Sequence, residues 1–286
     1  MDQTEALQRL QAEELDILLA INDFCKEHEI CWFLDSGTLL GAIRHGGFIP
    51  WDDDIDIGMF REDYDKFLAL VEKDGLPNGY SLHTFENTPG YACMFAKVYK
   101  DGTKFLTAET IDSGCDQGIF VDIFPYDRLS SDDSVREKQI SNAQLWKNLS
   151  FLWHSDRITV LSKNHLIHAI ESIGCTVVHH ILKLFVHRDT LMRSFSRSYT
   201  SLMPAGDPGN GKRIVYMWAS KLQFDEGDLL PTSNVTFCGH DFPAPRNVEK
   251  YLEMSYGNWK ELPPVDKRRT HLPQLLAFSD GARWKA

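Results

Sequence analysis

The sequence predicts an α/β (α+β) fold, in which a mixed sheet is flanked by helices and followed by a helical C-terminal extension. Three observations predict it. Helical and strand patterns alternate as far as Glu72, strand patterns dominate residues 80–124, and residues 131–203 have few turn signals and a helical composition. We therefore divide the chain into a core, residues 1–130, and a mostly helical region, residues 131–286, which we expect to pack on the core and complete its site.

The elements of the first part follow from periodicity. Apolar residues recur at helical spacing over residues 5–28, and a short apolar strand, 31–34, comes next. The small-residue turn 36–38 then opens a short helix, 39–44. A further helix is predicted over 61–72, because acidic residues occupy its first turn, where the helix dipole favours them.

After these helices the pattern changes to strands separated by turn residues. The predicted strands are 80–85, 91–100, 104–109 and 118–124. The last of them carries Asp122 in an otherwise apolar run, a position that rarely tolerates a carboxylate without a partner. Beyond residue 131 we expect two or three helices, with an interruption at Gly174.

Composition limits the class of protein. The formal net charge of −11 argues against a nucleic-acid partner, which normally requires a basic surface. The 6 cysteines show neither a close pair nor zinc-ligand spacing, so we expect reduced thiols. The N-terminus lacks the pattern of a secretory signal, and no apolar run approaches the roughly 20 residues that span a bilayer. We therefore expect a cytoplasmic protein.

One apolar stretch, residues 176–186, is interleaved with histidines. We interpret it as a helix packed on the domain. Docking of this face on a membrane surface is the alternative, although the basic residues that such helices favour are sparse. Membrane contact is thus expected to be peripheral at most, at the inner face of the membrane.

The most informative segment is acidic, with four carboxylates between Asp52 and Asp56. In a strand, residues two apart face the same side, so Asp54 and Asp56 would stand together while Ile55 and Ile57 face the core. Carboxylates on one face repel each other unless a cation lies between them, which predicts Mg²⁺, with Mn²⁺ as a substitute. Asp53 is predicted to point outward. The alternative is a solvated acidic loop.

Two other features extend this acidic segment into a site. The turn Ser36-Gly37-Thr38 opens a helix whose backbone N–H groups can hold phosphate oxygens. Asp122 lies on a later strand that could pair beside the acidic one. Three carboxylates facing such a turn are typical of nucleotidyltransferase-fold enzymes, where one or two metal ions clamp the transferring phosphoryl group. Asp122 would complete the metal shell and could take the acceptor proton.

The run from Leu34 to Gly58, LDSGTLLGAIRHGGFIPWDDDIDIG, resembles the signature of the LicD family. These are bacterial phosphocholine transferases related to the fukutin-type ribitol-phosphate transferases. Further similarity occurs at Asp63-Tyr64 with Phe67, Lys97-Val98-Tyr99, Tyr256-Gly257 and Pro263-Pro264. The resemblance is dense over residues 34–67 and thin over 131–239.

The resemblance implies a metal-dependent transferase that takes phosphocholine, or a similar phospho-alcohol, from a CDP-activated donor. The acceptor would be a hydroxyl of a cell-surface glycan or teichoic-acid precursor, which could be lipid-linked. Asp54 and Asp56 match the metal-binding pair of the family, and Asp122 falls where a third carboxylate is expected. Asp52 matches a further acidic position and would assist them. Ser36, Gly37 and Thr38 fall at the nucleotide-binding turn.

Three cationic or proton-bearing side chains are further candidates for substrate binding. Arg44, His45 and Lys97 could stabilise the pyrophosphate charge of the donor. Arg44 could equally pair with one of the aspartates. His271, which follows Lys267-Arg268-Arg269, either joins a phosphate site or belongs to a solvated basic turn.

Trp51 is the first candidate for an aromatic face against a quaternary ammonium group, with core packing as the alternative. Two other functions also stay open at this point. The same fold could transfer a nucleotidyl group to a small molecule, or a degenerate site could bind a nucleotide or glycan without catalysis. Retention of all three carboxylates counts against the non-catalytic binding site, because paired buried charge gives a binding protein no advantage.

Overall fold

The computed structural model describes residues 1–155, 165–217, 221–268, 270 and 272–286. Its helices are α1 (Gln3–Glu27), α2 (Ser36–His45), α3 (Arg61–Asp74), α4 (Ala108–Ser113), α5 (Asp133–His154), α6 (His165–Phe185), α7 (Arg188–Thr200), α8 (Glu226–Leu229) and α9 (Val248–Tyr256). Its strands are β1 (Phe33–Leu34), β2 (Asp56–Phe60), β3 (Tyr80–His83), β4 (Ala96–Lys100), β5 (Lys104–Leu106), β6 (Phe120–Arg128), β7 (Lys212–Ile214), β8 (Gln223–Asp225), β9 (Ser233–Phe237), β10 (His240–Ala244), β11 (Leu275–Ala277) and β12 (Arg283–Lys285).

The predicted mixed sheet flanked by helices is confirmed. Its central strands run in the order β1-β2-β6-β4-β3, with β2 parallel to β6 and the other neighbours antiparallel. Helices α1 and α3 both contact β6, while α2 contacts β2. The parallel pair is possible because the chain leaves β2 through α3 and returns to β6 after a long connection.

Helix α1 is the long amphipathic helix that the sequence predicts. The Asp2 side chain caps it by accepting a hydrogen bond from the Glu5 amide at 2.9 Å. Its buried side includes Leu10, Ile17 and Ile21. Burying each such side chain contributes roughly 1.5–3 kcal/mol, so this face fixes α1 on β4 and β6.

Helix α2 begins at Ser36, so residues 36–38 form its first turn instead of a separate turn before it. Asp35 is its N-cap, and its side chain accepts a hydrogen bond from the Ser36 amide. Gly46 ends the helix at a φ of 70°, a left-handed conformation that glycine adopts without strain.

The predicted acidic strand is shorter than expected. Strand β2 starts at Asp56, so Asp54 lies in the segment before it and the strand alternation does not extend that far. The prediction that Asp53 points outward is therefore wrong: its side chain is only 6% exposed. A similar shortening occurs at 104–109, where β5 ends and a Thr107–Thr110 capping box starts α4 instead.

After Thr200 the C-terminal region is no longer mainly helical, because strands alternate there with the shorter helices α8 and α9. The expected interruption at Gly174 is wrong, because α6 continues through it; a mid-helix glycine costs only about 1 kcal/mol. After Thr200, β7 and β8 extend the central sheet from β6, and β11 pairs with β5. The division of the chain at residue 130 stays a prediction.

Helix α6 packs against α5, as the sequence interpretation expected, but part of its apolar surface stays exposed. Leu182 is buried, whereas Leu184 is 77% exposed and Phe185 is 80% exposed. Ile173 and Ile181 are exposed as well. Within the described ranges, no helix is long and apolar enough to cross a bilayer. All six cysteines are free thiols, as predicted.

Candidate active site

Three charged side chains lie side by side across neighbouring strands. Asp56 of β2 pairs with Asp122 of β6, and Asp122 pairs in turn with Lys97 of β4. Paired residues of adjacent strands point to the same face of a sheet, so the three functional groups share one surface. The predicted placement of Asp122 beside the acidic strand is thereby confirmed.

Asp122 has the partner that its position in an apolar strand requires. Lys97 Nζ lies 2.7 Å from Asp122 Oδ1 and 3.4 Å from the centre of the Phe120 ring. Burial raises the pKa of Asp122 to about 6, although Lys97 acts in the opposite direction. Burial alone would lower the pKa of Lys97, but the surrounding groups, with the Asp122 carboxylate foremost, together leave it raised.

Two hydrogen bonds hold the start of β2 against the start of α2. The Asp56 amide donates a hydrogen bond to Thr38 Oγ1 at 2.8 Å, and the Asp35 amide donates to the Asp56 carbonyl at 3.0 Å. Burial and the charge of Asp54 raise the pKa of Asp56 well above its usual range. Thr38 therefore positions Asp56, while its predicted contact with the substrate stays a prediction.

Asp52 lies against the first turn of α2. A Cβ atom added at Gly37 would lie 2.8 Å from Asp52 Oδ2, so a larger residue at this position would displace this carboxylate. The N-terminus of a helix favours negative charge, which suits both Asp52 and a substrate phosphate. Burial, followed by the charges of Asp54 and Asp53, raises the pKa of Asp52 to about 8.

A buried hydrogen-bond network stabilises the start of α2. Tyr126 of β6 donates a hydrogen bond to Asp35 at 3.0 Å, and Tyr251 of α9 donates to the same carboxylate. Burial raises the pKa of Asp35 to about 6, although these hydrogen bonds act against the shift. Sequence reasoning missed both tyrosines, since no local pattern links residues so far apart along the chain.

The C-terminal region also lies close to the acidic residues. Tyr256, at the end of α9, is 44% exposed, but desolvation of its hydroxyl, followed by the charges of Asp56 and Asp35, raises the pKa of that hydroxyl. The guanidinium of Arg44 donates to the Trp259 carbonyl at 3.0 Å. Segments after residue 245 therefore form one wall around the start of β2 and the end of α2.

The remaining predicted substrate-binding residues lie at the other end of α2. Arg44 is about 12 Å along the helix axis from Ser36. His45 is exposed and meets Trp51 edge-on, with ring centres 6.3 Å apart. Trp51 is half-buried, and the guanidinium of Arg268 lies 5.1 Å from its ring centre.

Trp51 therefore already stacks with a cation, in addition to packing against the core. The substrate contacts of Arg44, His45 and Trp51 stay predictions. His271, which the sequence offers as a phosphate ligand, lies outside the described residues, as does Arg269.

Sequence reasoning also missed Glu14. Its side chain is 0% exposed, and its two carboxylate oxygens have no hydrogen-bond partner in the part of the chain that the structure describes. Burial raises the pKa of Glu14 well above the usual range, and the charges of Asp54 and Asp53 raise it further. The sequence did contain a signal for this residue, because Glu14 is an acidic residue on the apolar face of α1 between Leu10 and Ile17.

Whether this site fits a divalent cation depends on its donor atoms. Asp54 and Asp56 offer only oxygen atoms, as hard cations prefer, and the charge of Asp54 acts on Asp56. Among the described residues, no three His, Cys, Asp or Glu side chains have the arrangement of a metal site. Magnesium is commonly held by one or two carboxylates together with substrate phosphates, so the pair fits it without a complete protein cage.

Two cavities lie away from this row of charges. One of about 640 Å³ is bordered by Arg61, Tyr80 and Tyr199. The other, of about 290 Å³, is lined mainly by apolar atoms and includes Cys93 and His154. Burial raises the pKa of the Cys93 thiol in the second cavity, and the charges of Lys97 and Asp122 act on it in opposite directions.

Comparison with known proteins shows which family part of the chain resembles. Residues 29–165 match the family model described as LicD/FKTN/FKRP, nucleotidyltransferase domain. The lipopolysaccharide cholinephosphotransferase LicD of Haemophilus influenzae is 35% identical over 122 residues, which cover 42% of this chain and 44% of that protein. The human ribitol 5-phosphate transferase FKRP is 56% identical over 32 residues, covering 11% of this chain and 6% of that protein.

The mouse ribitol-5-phosphate transferase FKTN is 35% identical over 81 residues, covering 28% of this chain and 17% of that protein. The chain thus spans less than half the length of these relatives. The matched range contains the whole row of Asp56, Asp122 and Lys97 and the start of α2, but neither α1 nor α9. Residues 29–165 of this chain are therefore similar to the nucleotidyltransferase domain of the LicD family.

Proposed function

We propose that this protein is a transferase that moves a phospho-alcohol, with phosphocholine as the first choice, from a CDP-activated donor to a hydroxyl group. The acceptor is a cell-surface glycan or teichoic-acid precursor. One observation carries the proposal: Asp56, Asp122 and Lys97 share one face beside the first turn of α2, within the residues that match the family. A phosphate-binding turn beside paired carboxylates suits phosphoryl transfer.

The reaction is a substitution at phosphorus. The acceptor oxygen forms a bond to the phosphorus of the phospho-alcohol, the bond to the CMP oxygen breaks, and the hydroxyl proton passes to Asp122. The raised pKa of Asp122, about 6, suits a group that accepts a proton near neutral pH. Lys97 keeps this carboxylate charged and in place, and the amides of Gly37 and Thr38 orient donor phosphate oxygens.

A divalent cation, Mg²⁺ or Mn²⁺, would be held by Asp54 and Asp56. When bound, it neutralises charge on the phosphates and stabilises the leaving oxygen. Asp52 at the start of α2 assists by adding negative charge beside this pair. Arg44 and His45 then border the donor at the far end of α2.

The direct test is a donor screen with the purified protein. CDP-choline, CDP-ethanolamine, CDP-ribitol and CDP-glycerol are each supplied with Mg²⁺ and a glycan acceptor, and CMP release is measured. We expect one donor to be preferred and EDTA to abolish release. Pyrophosphate release from a nucleoside triphosphate, with no CMP from any donor, would instead identify a nucleotidyltransferase.

Peripheral contact with the inner face of a membrane is part of the proposal, because a lipid-linked acceptor would lie there. Its support is the apolar surface of α6, where Leu184 and Phe185 are largely exposed. Large exposed apolar side chains on one helix face are typical of surfaces that bind a membrane or a protein.

A further inference from the structure

Glu14 is a buried acidic group that the proposed reaction does not yet use. It is fully buried, and neither carboxylate oxygen has a hydrogen-bond partner within the described ranges. Burying an unpaired carboxyl group costs roughly several kcal/mol of folding free energy, so proteins seldom keep one without a ligand or partner. Glu14 thus requires an explanation beyond packing.

The surroundings of Glu14 are the acidic residues of the site. After burial itself, the four groups that raise its pKa are the carboxylates of Asp54, Asp53, Asp52 and Asp122. Gln11 lies three residues earlier on the same face of α1, and its amide donates to the Asp52 carbonyl at 2.8 Å. This bond fixes α1 on the acidic segment, so Glu14 faces the site.

The other carboxylates of this part of α1 have ordinary partners. Lys100 pairs with Glu13, and it also lies 3.0 Å from Asp16. The carboxylates of Glu13 and Asp16 therefore balance the charge of Lys100 at the edge of α1. Glu14 takes no part in that arrangement, so local charge balance does not account for it.

We propose that Glu14 is a positioning residue for the divalent cation, adding a third negative charge to the pair formed by Asp54 and Asp56. It acts through a bridging water, because no three carboxylates in the described part of the chain already have the arrangement of a metal site. This inference rests on the cation-dependent function proposed above. Because α1 precedes residues 29–165, the domain that matches the family does not contain this group.

The test measures cation binding directly. Mg²⁺ and Mn²⁺ are titrated into the full chain by calorimetry, for wild type, Glu14→Gln and the control Asp16→Asn. Loss of a carboxylate that supports a metal ligand weakens binding by about 10–100-fold, and we expect that loss for Glu14→Gln. Asp16→Asn, an equal change on the same helix, should bind both cations like wild type.

Thermal unfolding separates this role from a structural one. In EDTA, Glu14→Gln should be at least as stable as wild type, since an amide replaces an unpaired acid. Added Mg²⁺ should then raise the Tm of wild type more than that of the variant. Glu14→Met, which is similar in length, gives the same comparison if Glu14→Gln does not fold.

Two results would overturn the inference. Wild-type cation affinity in Glu14→Gln, or an equal loss of stability in EDTA and in Mg²⁺, would leave only a structural role and contradict this proposal alone. A wild-type protein that binds no divalent cation would contradict the cation-dependent function as well. The two failures are therefore distinguishable.

Discussion

Asp56 and Asp122 are direct neighbours across the parallel pairing of β2 and β6, although 66 positions separate them in the sequence. Parallel strands need a long crossover, so this contact joins two distant segments. Burial raises the pKa of both carboxyls, and the charge of Asp54 acts on each of them. The pair concentrates negative charge where a transferring phosphoryl group and its cation would lie.

Substitution of either carboxylate should remove activity without unfolding the protein. We expect Asp56→Asn and Asp122→Asn each to lower CMP release at least about 100-fold, because each removes an electrostatic contribution to the transition state. Circular dichroism should show an intact fold, since an amide fits the same space. Asp74→Asn, an exposed carboxylate at the end of α3, is the control. Near-normal turnover in both site variants would contradict the assignment.

The stability of the metal-free protein should fall as pH rises. Folding raises the pKa values of Asp35 and Asp122 to about 6 and that of Asp52 to about 8, from an ordinary value of 3.8. Between pH 4 and about 8 the folded state holds protons that the unfolded state has released, so the free energy of unfolding decreases over this window.

Urea denaturation in EDTA at steps of pH checks this prediction. Asp52→Asn should flatten the decrease between about pH 6 and 8, because its carboxyl titrates there. Mg²⁺ should restore stability more at pH 8 than at pH 5, since cations bind the deprotonated form. Stability that increases across this range in EDTA would be inconsistent with the pKa shifts.

Loss of one tyrosine hydroxyl should loosen the start of α2. Tyr251→Phe removes a hydrogen bond to the buried Asp35 carboxylate, which should lower the free energy of unfolding by about 1–3 kcal/mol. In an Asp35→Asn background, Tyr251→Phe should lower the free energy of unfolding by less, because a hydrogen bond to a neutral amide is weaker than one to a carboxylate. Equal costs in the two backgrounds, measured by urea denaturation, would show that the two groups are not coupled.

The exposed face of α6 should mediate vesicle binding. We expect wild type to sediment with anionic phospholipid vesicles and Leu184→Ser/Phe185→Ser to do so several-fold less, since both side chains would insert into the interface. Ile111→Ser, which alters an exposed apolar residue of α4, is the control. Equal sedimentation of all three proteins would exclude this face as the contact.

The sequence predicted the elements that depend on local pattern. Periodicity located α1 and α3, and the alternation of Asp54 and Asp56 with Ile55 and Ile57 indicated the acidic strand. Local rules failed where tertiary context decides the outcome. The strand alternation did not continue back to Asp53, and Gly174 did not interrupt α6, because packing can outweigh the preference of a single residue.

The sequence by itself determined the resemblance to the LicD family and the residues of the acidic segment, since both depend on one continuous run from Leu34 to Gly58. Only the tertiary structure showed that Lys97 neutralises Asp122, that Tyr251 supports Asp35, and that Glu14 is buried with no hydrogen-bond partner among the described residues. These relationships join segments that are far apart in the chain. They arise from strand pairing and helix packing, which no local spacing encodes.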